Sequence, residues 1–138
     1  MDKRTSIEER EQRRPKILEK TEIIKGDIYY ADLGTTIGSE QSGTRPVIVV
    51  QNNIGNKYSP TTIVVPLTTM NKNQQPTHYI LDPSCNIPYY SVVLAEQIRV
   101  IDKKRLKNKI GFLNKNIMQE IDNTIKIALE LKGYKNEK

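Results

Sequence analysis

The residue that first asks for an explanation is Arg45. It stands in "GSEQSGTRPVIVVQN", Gly38 to Asn52, where a polar loop with a glycine near each end gives way to an apolar run. Three uses are open to a guanidinium at such a join: a solvated surface charge, an anchor for the loop carbonyls, or a fixed charge that meets an anionic substrate. The third has definite chemistry. In RNA the ribose 2′-hydroxyl can attack the adjacent phosphate, leaving a 2′,3′-cyclic phosphate and a 5′-hydroxyl, so a protein need only align the chain and stabilise charge. The pentavalent phosphorane gathers negative charge on its free oxygens, and an arginine can give them two parallel hydrogen bonds. Arg45 suits that task, and a hydroxyl from Thr68 or Thr69, in "VVPLTT", could share it.

Other chemistries are poorly served. There is no Gly-Lys-Ser/Thr phosphate loop, so "GSEQSG" is not a nucleotide triphosphatase signature. Cys85 and His78 formally allow a nucleophile pair, but Cys85 lies in the proline-bracketed turn "DPSCNIP" and reads as an incidental thiol. His78, in "PTHYI", falls on a predicted strand and reads as a structural or surface histidine. One cysteine and one histidine make neither a disulfide nor the four-ligand set of a structural zinc site, so no metal or cofactor is expected.

The elements that must position Arg45 and Thr68 are mostly strands. "IIKGDIYYADL" predicts a strand kinked at Gly26, "RPVIVVQN" a second, "TTIVVPLTT" a third, "THYILD" a fourth and "YYSVVLAEQIRVI" a fifth. The unbroken apolar runs Val47 to Val50 and Ile63 to Val65 predict central strands covered on both faces. "IGNKYSP" and "MNKNQQP" read as turns. Asp102 can cap a short helix through "KKRLKN". From Asn114 a longer helix carries Ile117, Ile121, Ile125, Ala128 and Leu129 on one core-facing stripe, with Gly133 as its stop. The predicted fold is mainly β: a small antiparallel sheet curled like a barrel, with short helices and one C-terminal helix.

Size and charge are consistent with this. A chain of 138 residues is one domain with one core. Residues 1–22 look like a charged arm, helical or disordered, with 7 basic and 6 acidic side chains; the remaining residues hold 15 and 10, so the folded part carries most of the net charge of +6. A basic surface favours nucleic acid or an acidic protein segment. Mean hydropathy of −0.60, no apolar run long enough for a membrane span and a charged N-terminal stretch unlike a secretory signal lead to an expected cytoplasmic location.

With these residues in view, "KGDIYYADL", "GSEQSGTRPVIVVQNNIGN", "VVPLTT" and "LAEQIRVIDKKRL" closely resemble segments of the MazF/PemK family of toxin endoribonucleases, and its MazF branch in particular. The four segments match in order over about residues 24 to 131. The resemblance implies a small SH3-like barrel with a C-terminal helix, a homodimer, a domain over 23–131 and a short tail over 132–138. It implies a metal-independent, sequence-selective endoribonuclease for single-stranded RNA, the toxin of a toxin-antitoxin pair, slowing translation and growth. The partner it implies is an antitoxin whose acidic C-terminal segment occupies the RNA groove. The family's catalytic arginine falls on Arg45 and its threonine on Thr68. Ser39, Glu40 and Gln41 fall on the loop that contacts RNA, and Glu96 and Gln97 on the substrate groove.

Two features depart from the family pattern. The PemK-like branch carries an Arg-x-Asp-Gln arrangement on the fifth strand, where this chain reads Leu94, Ala95, Glu96, Gln97. Glu96 is then a base in place of the aspartate, a ligand for RNA bases, or a salt-bridge partner of Arg99, and the non-catalytic reading is preferred. The arm over 1–22 is the second departure. Two other functions fit the fold: a non-catalytic RNA- or protein-binding barrel, and a toxin directed at a DNA topoisomerase. Tyr29, Tyr30, Tyr58, Tyr89 and Tyr90 are candidates for stacking on bases.

Overall fold

The computed structural model describes residues 22–69, 76–81, 87 and 90–133. Most of the arm, the tail from 134 onward, the turn "MNKNQQP" apart from Pro76, Cys85 and Tyr89 lie outside the described residues. Seven strands follow in order: β1 Asp27–Asp32, β2 Thr44–Val49, β3 Thr61–Thr69, β4 His78–Leu81, β5 Ser91–Leu94, β6 Arg99–Asp102 and β7 Leu106–Phe112. Helix α1 spans Asn53–Tyr58 and helix α2 spans Lys115–Leu129.

The sheet runs β4-β5-β3-β2-β1-β7, with β6 paired to β3 off that path. All its pairings are antiparallel, and the ladder bends like a barrel without closing. Strand β3 organises it. Its nine residues pair first with β6, from Thr61 to Val64, then with β2, to Pro66, then with β5, from Leu67 to Thr69. Pro66 has no backbone N–H to give a ladder, and it lies where β3 passes from β2 to β5.

The predicted central strands have a simple cause. Alternation along β2 sends Val47 and Val49 into one apolar cluster, with Tyr29, Ala31, Leu33, Val64, Ile101 and Leu106, and sends Ile48 into another, with Ile28, Val65, Leu67, Val93, Met118 and Ile121. Both faces are therefore covered, one of them by α2, and Val47 to Val49 are fully buried.

Four local expectations change. The fifth predicted strand is broken: β5 ends at Leu94, Ala95–Gln97 form a 3₁₀ turn, and β6 restarts at Arg99. "IGNKYSP" is helical rather than a simple turn. Asn52 caps α1 by accepting from the Gly55 N–H at 2.9 Å, and Asn56 is buried with bonds to Gln51, Asn53 and Thr62. Its asparagines act as cap and internal ties rather than as turn formers. Asp102 does cap, accepting from Lys104 N–H, but the helix is one 3₁₀ turn, Lys103–Arg105, before β7 begins. Helix α2 starts as expected, with Asn114 accepting from the Ile117 N–H. It stops earlier, at Glu130, whose φ of 54° is left-handed; the Leu131 N–H then reaches the Lys126 carbonyl and closes the end without Gly133. The stripe of α2 is correspondingly cut short, since Leu129 is exposed.

Candidate functional site

The site grows from the point where β2 and β3 separate. Their last shared pair is Val47 with Pro66; beyond it β2 continues beside β1, with Arg45 opposite Ala31, and β3 continues beside β5, with Thr68 opposite Val92. Arg45 and Thr68 each stand two residues past the shared pair. Strand alternation therefore sets both on the face that carries Val47 and Pro66.

Arg45 is exposed, and its Nε donates to the Ser42 carbonyl at 3.1 Å. Its terminal nitrogens bond no other described residue. One of the three uses open to it is found: Nε anchors a loop carbonyl, and the outer fork is left available to a bidentate acceptor. Thr68 is half-buried, and its hydroxyl has no hydrogen-bond partner among the described residues, so a strand-end hydroxyl satisfied by backbone is not what is found.

The loop between β1 and β2 is an ordered strap. Its base is closed by Leu33 N–H to the Gly43 carbonyl at 2.9 Å and Gly43 N–H to the Gly34 carbonyl at 3.0 Å. Gly34 and Gly43 have φ of 75° and 72°, values that a side chain would strain. Farther out, Glu40 turns inward on its own loop: Oε1 accepts the Ile37 N–H at 3.0 Å, and its carbonyl accepts the Thr36 hydroxyl at 2.9 Å.

Gln97 joins this strap to the body. Its Oε1 accepts the Gln41 N–H at 2.8 Å, and its Nε2 donates to the Ser39 carbonyl at 3.3 Å. A cavity of about 420 Å³ lies along the contact, lined by Thr35, Thr36, Glu40, Gln41, Pro66, Gln97, Ile98 and Arg99. Glu40, Gln41 and Gln97 meet there. Arg45 and Thr68 are not in its wall, although Pro66, two residues from Thr68, is.

Glu96 sits on the 3₁₀ turn, with its carboxylate bound to Thr77 Oγ1 at 3.0 Å and His78 Nε2 at 3.0 Å. The expected alternative of a pair with Arg99 is corrected: Arg99 lines the cavity and donates to the Leu33 carbonyl at 3.3 Å. Thr77 and Ile98 carry no signal in the sequence, and His78 and Arg99, read there as a structural or surface histidine and an ion-pair partner of Glu96, reach the site through the way β4 and β6 fold against β5 and β3. Of the tyrosines, Tyr29 is buried in the core, whereas Tyr30, Tyr58 and Tyr90 are exposed. Among the described residues no group of three or more His, Cys, Asp or Glu is placed to hold a metal ion, and no helix is long and apolar enough to cross a membrane.

Both the sequence and the fold have known relatives. A Staphylococcus epidermidis protein named Endoribonuclease MazF is 48% identical over 118 residues, covering 84% of this chain and 98% of the relative. Among solved structures, a mycobacterial endoribonuclease in complex with its cognate antitoxin superposes with a TM-score of 0.68 at 28% identity, covering 79% of this chain and 96% of that one. A Deinococcus radiodurans MazF crystal structure gives a TM-score of 0.70 at 20% identity, over 80% of this chain and 99% of that one, a likeness of fold. The model of the PemK-like, MazF-like toxins of type II toxin-antitoxin systems matches residues 24–129, from just before β1 to the end of α2, and the chain belongs to that family.

Proposed function

We propose that this protein is the endoribonuclease toxin of a type II toxin-antitoxin pair and that it cuts single-stranded RNA at Arg45 and Thr68. The observation that carries the reading is the parting of β2 and β3, which leaves a guanidinium fork and a hydroxyl on one face with no partners among the described residues. The substrate supplies the nucleophile. The 2′-oxygen bonds to phosphorus, the bond from phosphorus to the 5′-oxygen breaks, the 2′-hydroxyl loses its proton and the leaving 5′-oxygen gains one. Arg45 neutralises charge on the free phosphoryl oxygens, and Thr68 donates a hydrogen bond to one of them. No resident metal or cofactor has a part in this scheme.

The strap holding Ser39, Glu40 and Gln41, together with Glu96 and Gln97, forms the RNA contact surface. The basic folded part favours an antitoxin with an acidic segment lying over the same groove, as a homodimer in the cytoplasm. The solved structure of a mycobacterial endoribonuclease in complex with its cognate antitoxin supports an antitoxin partner. The domain spans 23–131, with 1–22 an appended arm and 132–138 a tail.

The testing experiment replaces the ribose 5′ of the cut phosphate with 2′-deoxyribose. Backbone charge and base edges remain, so binding should persist and the strand should inhibit, while cleavage stops. With ordinary RNA, excess EDTA should leave cleavage intact, and the products should carry a 5′-hydroxyl and a 2′,3′-cyclic phosphate or 3′-phosphate. Cleavage of the deoxy strand, or a 5′-phosphate product, would make water the nucleophile and refute the scheme. A folded protein that binds RNA and cuts none would be a binding module.

A further inference from the structure

His78 is the chain's one histidine. Its side chain is 7% exposed, against 36% for that of Glu96. A buried ring invites an apolar explanation, since leucine or phenylalanine could fill the same space. Yet Nδ1 is buried with no partner among the described residues, an uncompensated polar atom that packing alone would not retain. The ring's polar tie is to Glu96, from Nε2 to Oε2 at 3.0 Å. A carboxylate accepts and does not donate, so Nε2 carries the hydrogen of that bond.

Two further links make the contact a clamp. Thr77 Oγ1 donates to the other carboxylate oxygen at 3.0 Å. The backbone repeats the connection, with Ala95 N–H on the Thr77 carbonyl at 3.1 Å and His78 in register with Leu94. The start of β4 thus holds both oxygens of Glu96. Each oxygen keeps a second lone pair, and the Glu96 side chain is partly exposed, 36%, so the carboxylate stays open to an outside donor.

We propose that His78, with Thr77, is a positioning residue that aims the Glu96 carboxylate at the donor edge of an RNA base, so that Glu96 reads base identity instead of taking the 2′-proton. This rests on the RNA-cleaving reading above. An acceptor-only group recognises exocyclic amino groups and rejects carbonyl oxygens at the same place, and its discrimination depends on being held still.

The experiment uses RNAs in which one amino group at a time is deleted: inosine for guanosine, purine riboside for adenosine, and 2-pyrimidinone riboside for cytidine. For the full-length protein, one deletion should raise KM roughly tenfold with little change in kcat, the loss expected for one charge-assisted hydrogen bond. His78→Ala should raise KM for the parent RNA to a similar degree and become indifferent to that deletion, and His78→Gln, which keeps an amide donor within reach, should restore part of the discrimination. His78→Ala combined with Glu96→Ala should be no worse than Glu96→Ala alone, because both remove one function. A folded His78→Ala protein that discriminates as the parent does, or additive losses in the double variant, would overturn the proposal. Should His78→Ala fail to fold, ¹⁵N spectroscopy of the single imidazole decides: Nε2 must be protonated and its signals must move in Glu96→Gln, and an Nδ1-protonated or unresponsive ring refutes the link. A parent protein that cuts no RNA counts against the cleavage reading, while the ring spectrum still tests the clamp.

Discussion

The Gln97 side chain and the backbone of Gln41 are joined across 56 residues by one hydrogen bond of 2.8 Å. With the bond from Gln97 Nε2 to the Ser39 carbonyl, it makes one amide both donor and acceptor to a single loop. An ionised glutamate in its place would offer acceptors alone and lose the bond to the Ser39 carbonyl. The strap is therefore secured to the 3₁₀ turn that also carries Glu96, and the two parts of the proposed RNA surface are mechanically one.

Gln97→Ala should free the strap. Two hydrogen bonds, each contributing about 1 kcal/mol net, are lost, and amide exchange at Gln41 should accelerate by roughly tenfold or more while β3 stays protected. KM for RNA should rise more than kcat falls. Unchanged exchange at Gln41 would mean that the loop is ordered by its own internal bonds, those of Glu40 above all.

Arg45→Ala should lower kcat by about 100–1,000-fold, the usual effect of removing one donor aimed at a transition-state oxyanion. Its exposure means that stability should change by no more than about 0.5 kcal/mol, which thermal unfolding would check. Arg45→Lys should recover little, since an ammonium neither spans two phosphoryl oxygens nor repeats the Nε contact with Ser42. Thr68→Ser should retain activity and Thr68→Ala should lose it. Equal losses of binding and cleavage in Thr68→Ala would assign the hydroxyl to positioning RNA.

The sequence made the strands legible because those signals are local. An apolar run such as Val47 to Val49 states its own burial, whereas Arg45 is marked only by its place at a loop-strand join and Thr68 only by the family resemblance. The helix at Asn53–Tyr58 was illegible because asparagine and glycine signal turns, and only the buried Asn56 network turns those residues into a helix. The break at Ala95–Gln97 was hidden inside a run of strand formers. His78 shows the limit most clearly: its partner is 18 residues away, and nothing in "PTHYI" announces a carboxylate.

Tyr29 gives a pH prediction. Burial, reinforced by the negative charge of Asp27, raises its phenol from 10.0 to about 12. In the unfolded chain the phenol ionises near 10, so between about pH 10 and about 12 the unfolded state loses a proton that the folded state keeps. The stabilisation is therefore complete below pH 10 and disappears as pH rises through 12. Tyr29→Phe should flatten the fall of stability across that window in denaturant titrations. An unchanged slope would show that other groups, such as the lysines, dominate alkaline unfolding.

The arm provides the last test. The family match begins at residue 24, and the earliest buried apolar residue described is Ile23, which packs with Tyr29, Leu33 and Val47. Immediately after it, Asp27 accepts the Ile24 N–H at 3.0 Å, and Lys25 bonds both Asn53 and Asp122. The chain is thus tied into the sheet and to α2 from Ile23 onward. A protein beginning with Met followed by Ile23 should fold with nearly the same Tm and cut RNA at the same sequence. Because residues 1–22 carry 7 basic and 6 acidic side chains, their removal should leave the salt dependence of RNA binding almost unchanged. A shortened protein that precipitates, or whose Tm falls by several degrees, would place part of the arm in the core or at a subunit contact; one that cuts at new sequences would place it beside the RNA.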